Sequence, residues 1–179
     1  MPVRIRTYAI RADSGGPGRW RGGAGMVREM EVLVDGATLN TRMDNVDNPP
    51  WGVKGGEAGR PGRFLLNPGT PEERELPRLA QGIPVRRGDV VRMESTGGGG
   101  WGDPHAREPW RVRQDVRGGF VSVEGARADY GVVLRDGPDR EVDDAATAAL
   151  RAQPRERSAM FHRHSTHRDA EEWWQAMSA

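Results

Sequence analysis

Ser95-Thr96-Gly97-Gly98-Gly99-Gly100-Trp101-Gly102-Asp103-Pro104 is the stretch on which the reading of this chain turns. Glycine loses more backbone entropy on folding than any other residue, so four in succession inside an ordered domain need a reason. Two reasons are available: the backbone enters φ > 0, or another segment packs too close for a Cβ. Val90-Val91-Arg92-Met93-Glu94, just ahead, reads as a strand. Asp103-Pro104, just behind, bars a regular continuation, because a residue before proline avoids the helical region. The stretch is therefore a strand followed by a shaped glycine loop with one large side chain, Trp101, inside it.

Two more loops share that style. Asp13 to Gly18 is a turn by composition and runs into Arg19-Trp20-Arg21-Gly22-Gly23-Ala24-Gly25. Asn48-Pro49-Pro50-Trp51-Gly52-Val53-Lys54-Gly55-Gly56 is the third, extended by Gly59, Pro61 and Gly62. The three clusters, near residues 22, 55 and 99, are unevenly spaced and are not a sequence repeat. Between them lie short strands. Val3 to Arg11 alternates in part. Met26 to Val34 puts Met30, Val32 and Val34 on one face and Glu29, Glu31 and Leu33 on the other. Asp35-Gly36 suits a tight hairpin turn, with Ala37 to Arg42 as the return strand. Phe64-Leu65-Leu66 is a strand and Asn67 to Thr70 a turn; residues 71–82 read as an exposed connection, and Arg87-Gly88-Asp89 turns into the strand at Val90.

After Pro104 the pattern becomes helical. Glu108-Pro109-Trp110 opens a helix with proline at its first position, Val112 and Val116 share its face, and Gly118-Gly119 ends it. Ser122 caps a second helix through Tyr130, closed by Gly131. Val132 to Leu134 reads as one more strand, Asp143 to Leu150 as a third helix ended by Pro154, and Thr166-His167-Arg168-Asp169 as the capping box of a last helix through Trp173 and Trp174. The fold class expected is mainly β with C-terminal helices (α+β), with a β-sandwich-like arrangement as one form it can take. The division expected is a β-rich region over 1–135 and a helical tail over 136–179.

Composition narrows the function classes. The 27 Lys+Arg against 26 Asp+Glu give a net charge of +1, so no global field favours nucleic acid or membranes. Lys54 is the only lysine, a bias that a GC-rich genome produces without functional meaning. No cysteine is present, which removes disulfides and thiolate metal sites. No apolar run approaches the ~20 residues of a membrane span, and no basic-then-apolar leader opens the chain. A cytoplasmic location is the default expectation. Hydrophobic residues make up 35% of the chain and glycine 25 of 179 residues, so the core is lean and a partner surface is expected to help complete it.

The motifs that carry chemistry are weak. Gly97, Gly99 and Gly102 match G-x-G-x-x-G formally, but a dinucleotide site needs a helix opening at once, which Asp103-Pro104-His105 does not provide. An anion nest of successive N–H groups and a packing role both remain open for the glycines, with packing favoured. Arg19-Trp20-Arg21-Gly22-Gly23 resembles an RNA-binding Arg-Gly-Gly segment, yet it occurs once, between strands, in a nearly neutral chain. His162, His164 and His167 form H-x-H-x-x-H; His105 stands apart, and only Asp169 is placed to join the tail set as a metal ligand. Asp13, Asp44, Asp47 and Asp103 all sit at glycine-rich loops, where turn and capping roles are the default. Trp20, Trp51 and Trp101 are expected to be buried pins for their loops, Trp101 above all.

Five segments carry a resemblance. Asp13-Ser14-Gly15-Gly16-Pro17-Gly18-Arg19-Trp20-Arg21-Gly22-Gly23, Pro50-Trp51-Gly52-Val53-Lys54-Gly55-Gly56, and Gly88-Asp89-Val90-Val91 with Thr96 through Pro104 resemble, in order and spacing, segments of the hydantoinase B/oxoprolinase family. Asp115-Val116 and Tyr130-Gly131-Val132-Val133 complete the series. The large subunits of acetone and acetophenone carboxylases are related to that family. The resemblance covers residues 1 to about 135 and only the family's C-terminal part. It implies a separated or truncated piece of a B-type chain, without the N-terminal portion where the carboxylase relatives hold a metal. It further implies an ATP-binding A-type subunit and that N-terminal portion as partners, with ATP and a divalent metal belonging to the full complex and none to this chain. The activity implied is opening of a cyclic amide at a C–N bond, or carboxylation in the relatives, with the isolated chain inactive. No residue matched here carries over as catalytic, cofactor-binding or metal-binding. A noncatalytic structural or assembly domain, or a gene remnant, is the alternative.

Overall fold

A computed structural model of the chain describes residues 2–154. The histidines at His162, His164 and His167 and the helix expected from Thr166 lie outside the described residues. β1 (Val3–Ile10), β2 (Met26–Val32), β4 (Arg63–Leu66), β5 (Arg74–Leu76) and β7 (Val90–Glu94) form one antiparallel sheet in the order β1-β2-β7-β4-β5. β3 (Ala37–Arg42) and β6 (Leu79–Val85) form a separate antiparallel ribbon. A single 3₁₀ turn (Pro104–Ala106) leads to α1 (Pro109–Arg117), α2 (Val123–Tyr130) and α3 (Asp144–Arg151). The mainly β fold with helices after Pro104 is the class that the pattern of elements predicts.

The period-two pattern of β2 divides the sheet into two unlike faces. On one face Val32 joins Phe64, Leu66, Leu76 and Val91, and the ribbon covers them with Val85, Leu39 and Ile83. On the other face charges pair across the strands. Arg92 meets Glu29 at 2.5 Å, and Arg63 and Arg11 both meet Glu94, at 2.8 and 3.0 Å. A second core lies under the helices, where Val112, Val121, Ala126, Tyr130 and Val132 are all buried.

β1 carries a bulge. Ile5 pairs with Met30 and Thr7 with Glu29, so Arg6 is the extra residue. The bulge explains the partial alternation of the sequence. Val3 and Ile5 before it, and Tyr8 and Ile10 after it, all share the face of Met30, although the simple period breaks between them.

Three expectations are corrected, and an open choice is settled. β3 begins and ends where the sequence places it, but it is not the return strand of a hairpin. Both edges of β2 are taken, by β1 and β7, so the chain turns at Gly36 (φ +69°) and β3 pairs in the other layer. Residues 71–82 are not a bare connection; they hold β5, only three residues long, and the start of β6, where the exposed Leu79 and Gly82 (φ +69°) break any period-two pattern. Val132 to Leu134 makes one bridge among the described residues, Leu134 to Val142, and no described strand lies alongside to extend it. None of Gly97 to Gly100 has positive φ; Gly102 alone in that loop does, at +73°. The four glycines are there for close approach, and a side chain at Gly99 would meet the carbonyl of Trp51 rather than a forbidden dihedral.

That approach has a regular form. Gly97 and Gly100 donate to the carbonyls of Arg60 and Glu57, at 3.1 and 2.9 Å. Gly98 and Trp101 donate to Gly23 and Trp20, both at 2.9 Å. Arg60 and Glu57 donate in turn to Ser14 and Pro17. Donors three apart share a neighbour, and acceptors step back by three. The segments are thus antiparallel, extended helices of three residues per turn, the polyproline-II period, bonded sideways to more than one neighbour. A Cβ on Gly16, Gly22, Gly56, Gly59, Gly97 or Gly100 would lie under 3.0 Å from another segment's backbone.

Gly97→Ala is expected to lower the urea midpoint by the equivalent of at least about 3 kcal/mol, the upper end for an overpacked interior, because backbone cannot step aside. Gly23→Ala, at a site with nothing within 4 Å of the added methyl, should stay within about 0.5 kcal/mol of the parent. The sheet's charged face predicts the acid limb of stability. Burial pushes the Glu94 carboxyl up, but the Arg63 hydrogen bond and the Arg11 and Arg63 charges outweigh it and hold it below its ordinary 4.5. Its stabilisation is fully present above that value and is lost as pH falls through the lowered one. Arg63→Met should therefore lower the midpoint near neutrality and weaken its fall below about pH 4.5, read by urea titrations at stepped pH.

Candidate functional site

The glycine bundle aims its largest side chains outward. Trp20 and Trp101 exchange two backbone hydrogen bonds, at 3.0 and 2.9 Å, and the parallel bridge of Val53 to Trp101 brings the third loop alongside. Their backbones are pinned while their rings are not: Trp20, Trp51 and Trp101 are 51%, 55% and 44% exposed. The expectation of buried tryptophan pins is overturned. Main-chain bonds and Cβ-free crossings hold the loops.

The exposed rings collect cations. The Arg111 guanidinium lies 5.4 Å from the Trp20 ring and 4.8 Å from the ring of Trp110, itself half exposed. Lys54 Nζ lies 5.8 Å from Trp101. Stacks of this kind are worth about 0.5–1 kcal/mol at exposed sites. Tryptophan and arginine are also the side chains that protein interfaces favour at their centres. The loops and α1 together thus present an aromatic, cationic surface suited to contact with another macromolecule.

Beneath it lies a buried charge cluster that ties the bundle to the helices. Asp115 of α1 pairs with Arg107 at 2.8 Å and with Arg21 at 3.4 Å. Arg107 also donates to the carbonyl of Arg19 at 2.9 Å, and Arg21 covers the Phe120 ring at 4.7 Å. The Arg-Gly-Gly segment therefore turns its second arginine inward as a structural strut, which leaves nothing of the RNA-binding pattern at Arg21. Tyr130 is buried beside this cluster, its hydroxyl has no hydrogen-bond partner among the described residues, and burial pushes its phenol above the usual range.

The sequence's other candidates scatter. Asp103 caps the 3₁₀ turn through His105 N at 2.8 Å, Asp13 accepts from Ser122 N at 2.8 Å, and Asp47 pairs with Arg78 at 2.6 Å. They do not meet in a cleft. The helix that follows the glycines is one 3₁₀ turn, too short for a dinucleotide site. His105 lines a groove of about 260 Å³ with Arg127 and Leu150; burial and the Arg151 charge lower its pKa, so it stands neutral at pH 7. The larger groove, about 670 Å³, is lined by polar groups that already pair: Arg86 with Glu72 at 3.0 Å and Asn67 with Asp89 at 3.1 Å. Among the described residues no three His, Asp or Glu side chains converge as metal ligands. The N–H groups of Gly16, Gly97, Gly98, Gly100 and Gly102, which could form an anion nest, are spent on loop-to-loop bonds.

These placements reverse an expected ranking. Trp101→Ala should shift the urea midpoint by less than about 1 kcal/mol, as for an exposed side chain. Asp115→Ala, which strands two buried guanidinium groups, should cost about 3–5 kcal/mol. A large loss for Trp101→Ala would restore the ring as a structural pin.

Comparison with known proteins assigns the fold. The chain is 35% identical over 153 residues to a Pseudomonas sp. (strain NS671) protein named as the B component of a D-/L-hydantoinase, a match covering 84% of this chain and 25% of the relative. It is 37% identical over 155 residues to the beta chain of the caprolactamase of Pseudomonas jessenii, covering 84% and 26%. Among solved structures, the nucleotide-free acetone carboxylase matches with a TM-score of 0.72 at 29% identity, over 85% of this chain and 24% of that one. The chain thus spans about a quarter of the length of these relatives. No described helix is long and apolar enough to cross a membrane. The family profile for hydantoinase B/oxoprolinase matches residues 1–104, the stretch that contains both sheets and all three glycine loops, and the chain belongs to that family.

Proposed function

We propose that this chain is the C-terminal module of a B-type component in an ATP-dependent hydrolase that opens a cyclic amide at its C–N bond. In this reading it is inactive alone and works in the cytoplasm with an ATP-binding A-type subunit and the rest of the B component. The observation that carries the reading is the glycine bundle. The N–H groups of Gly97, Gly98, Gly100 and Gly102 bond other loops of the bundle, and its tryptophans and cations face outward, which suits a scaffold that presents a contact surface better than one that binds substrate. The relatives named as components of a hydantoinase and a caprolactamase supply the substrate class, a ring amide. ATP and a divalent metal, where they act, are held by those other parts. A second reading, a module of an acetone-carboxylase-type large subunit, is favoured by the fold match at a TM-score of 0.72.

The purified chain is expected neither to hydrolyse ATP nor to open hydantoin, 5-oxoproline or caprolactam, with Mg²⁺ or Mn²⁺ present. The remaining part of the Pseudomonas jessenii beta chain and its A-type partner should give ring opening only when this chain or the native module is added. Bicarbonate-dependent consumption of acetone in the matching carboxylase reconstitution would favour the second reading. Turnover by the chain alone that survives repurification would overturn both.

A further inference from the structure

The apolar face of the five-stranded sheet is covered over β7, β4 and β5 but not at its other end. On β1, Val3, Ile5, Tyr8 and Ile10 are all exposed, Tyr8 at 64%, and Met26 of β2 beside them is exposed too. Scattered exposed hydrophobics mean little, but these are patterned. All four β1 residues share one face, and the bulge at Arg6 keeps them there. The opposite face of the same hairpin is finished: Thr7 donates to Glu29 at 3.0 Å, and Arg4 meets Glu31 at 3.5 Å. Among the described residues β1 is moreover an edge strand, eight residues long, with no strand along its outer backbone row.

One charge interrupts the stripe. Arg28 pairs with Tyr8 across β1–β2 and with Met93 across β2–β7, which puts its side chain on the apolar face. Arg28 is half-buried, its Nε covered and without a hydrogen-bond partner, and among the described residues no carboxylate lies within ion-pair distance of it. A buried guanidinium donor left unmade is costly, and its natural complement is a carboxylate.

We propose that this stripe, with Arg28 at its centre, is the docking surface for the portion of the B component that makes up about three quarters of the relatives' length, and that the docked segment is apolar and carries a carboxylate opposite Arg28. The proposal rests on the function read above. A second copy of this chain fits less well. The stripe itself contains no acidic residue, so pairing it with itself supplies Arg28 with no carboxylate and sets the two Arg28 charges on the same apolar interface.

The test is two-piece assembly, using this chain and the Pseudomonas jessenii beta chain lacking its matching quarter, with that quarter itself as the positive control. Binding is read by isothermal calorimetry and assembly state by sedimentation velocity. A one-to-one complex is expected. Tyr8→Lys and Ile10→Lys, at positions exposed in the free chain, should weaken it at least about a hundredfold while leaving the circular dichroism unchanged. Arg28→Met should weaken it about tenfold. A complex lost with Trp110→Ala but indifferent to the stripe variants would overturn this inference and leave the proposed function standing. A wild-type dimer that Tyr8→Lys dissociates would replace the proposed occupant with a second copy. No complex, where the native quarter does bind, would overturn this inference and the proposed function together.

Discussion

Where residues 97–102 cross residues 14–25 and 50–60, carbonyl oxygens fill the volume that a Cβ would need. Each glycine there carries an entropy penalty of about 0.5–1 kcal/mol relative to alanine, and glycine brings no apolar side chain to offset it. The compensation is main-chain bonding, with net gains of about 0.5–1.5 kcal/mol per hydrogen bond, and close contact between backbones that side chains would hold apart. Such packing leaves no interior for large residues. Trp20, Trp51 and Trp101 are displaced to the rim for that reason, and the helices connect to the bundle through Asp115, Arg107 and Arg21 instead of through an apolar plug.

Arginine suits that connection. Its planar fork lets Arg107 serve a carboxylate and a carbonyl at once, the Asp115 side chain and the Arg19 main chain. The same habit recurs at Arg151, which bonds the carbonyls of Tyr130 and Arg107, and at Arg11, which bonds those of Pro61 and Ser95 beside its pairing with Glu94. The near absence of lysine, readable as genome bias, also fits a structure in which many main-chain carbonyls outside regular sheets are met by a forked donor.

The sequence was most legible where the signal is local. Ser122 and Gly131 bound α2, Pro109 opens α1, Asp143 caps α3, and β7 follows from a short β-branched run. It was least legible where partners are distant. Nothing local to Asp35-Gly36 reveals that both edges of β2 are already occupied, so a hairpin looked sufficient. Buried tryptophans looked sensible because indoles usually pack inside, and only the crossings show that there is no inside to pack. A usable signal for the bundle was present all the same. Gly15 and Gly18, Gly22 and Gly25, Gly56, Gly59 and Gly62, and Gly97 and Gly100 recur at intervals of three, the period of an extended three-fold helix and of neither an α-helix nor a strand. As for the candidate surface, the resemblance pointed to the loops that build it, while the scatter of Asp13, Asp47 and Asp103 is visible only in three dimensions.

The bundle also constrains the order of events during synthesis. Its middle element is the last of its parts to be made, since residues 97–102 bond to segments that begin at residue 14. Loop closure over such separations is slow compared with local helix or hairpin formation. At about 5–20 residues per second on the ribosome, the first glycine loop waits at least several seconds for its neighbour. During that interval β2 also lacks β7, and the apolar sheet face is open along more than its β1 edge. Nascent chains of this domain therefore carry an unfinished apolar sheet face until residues 90–102 have been made.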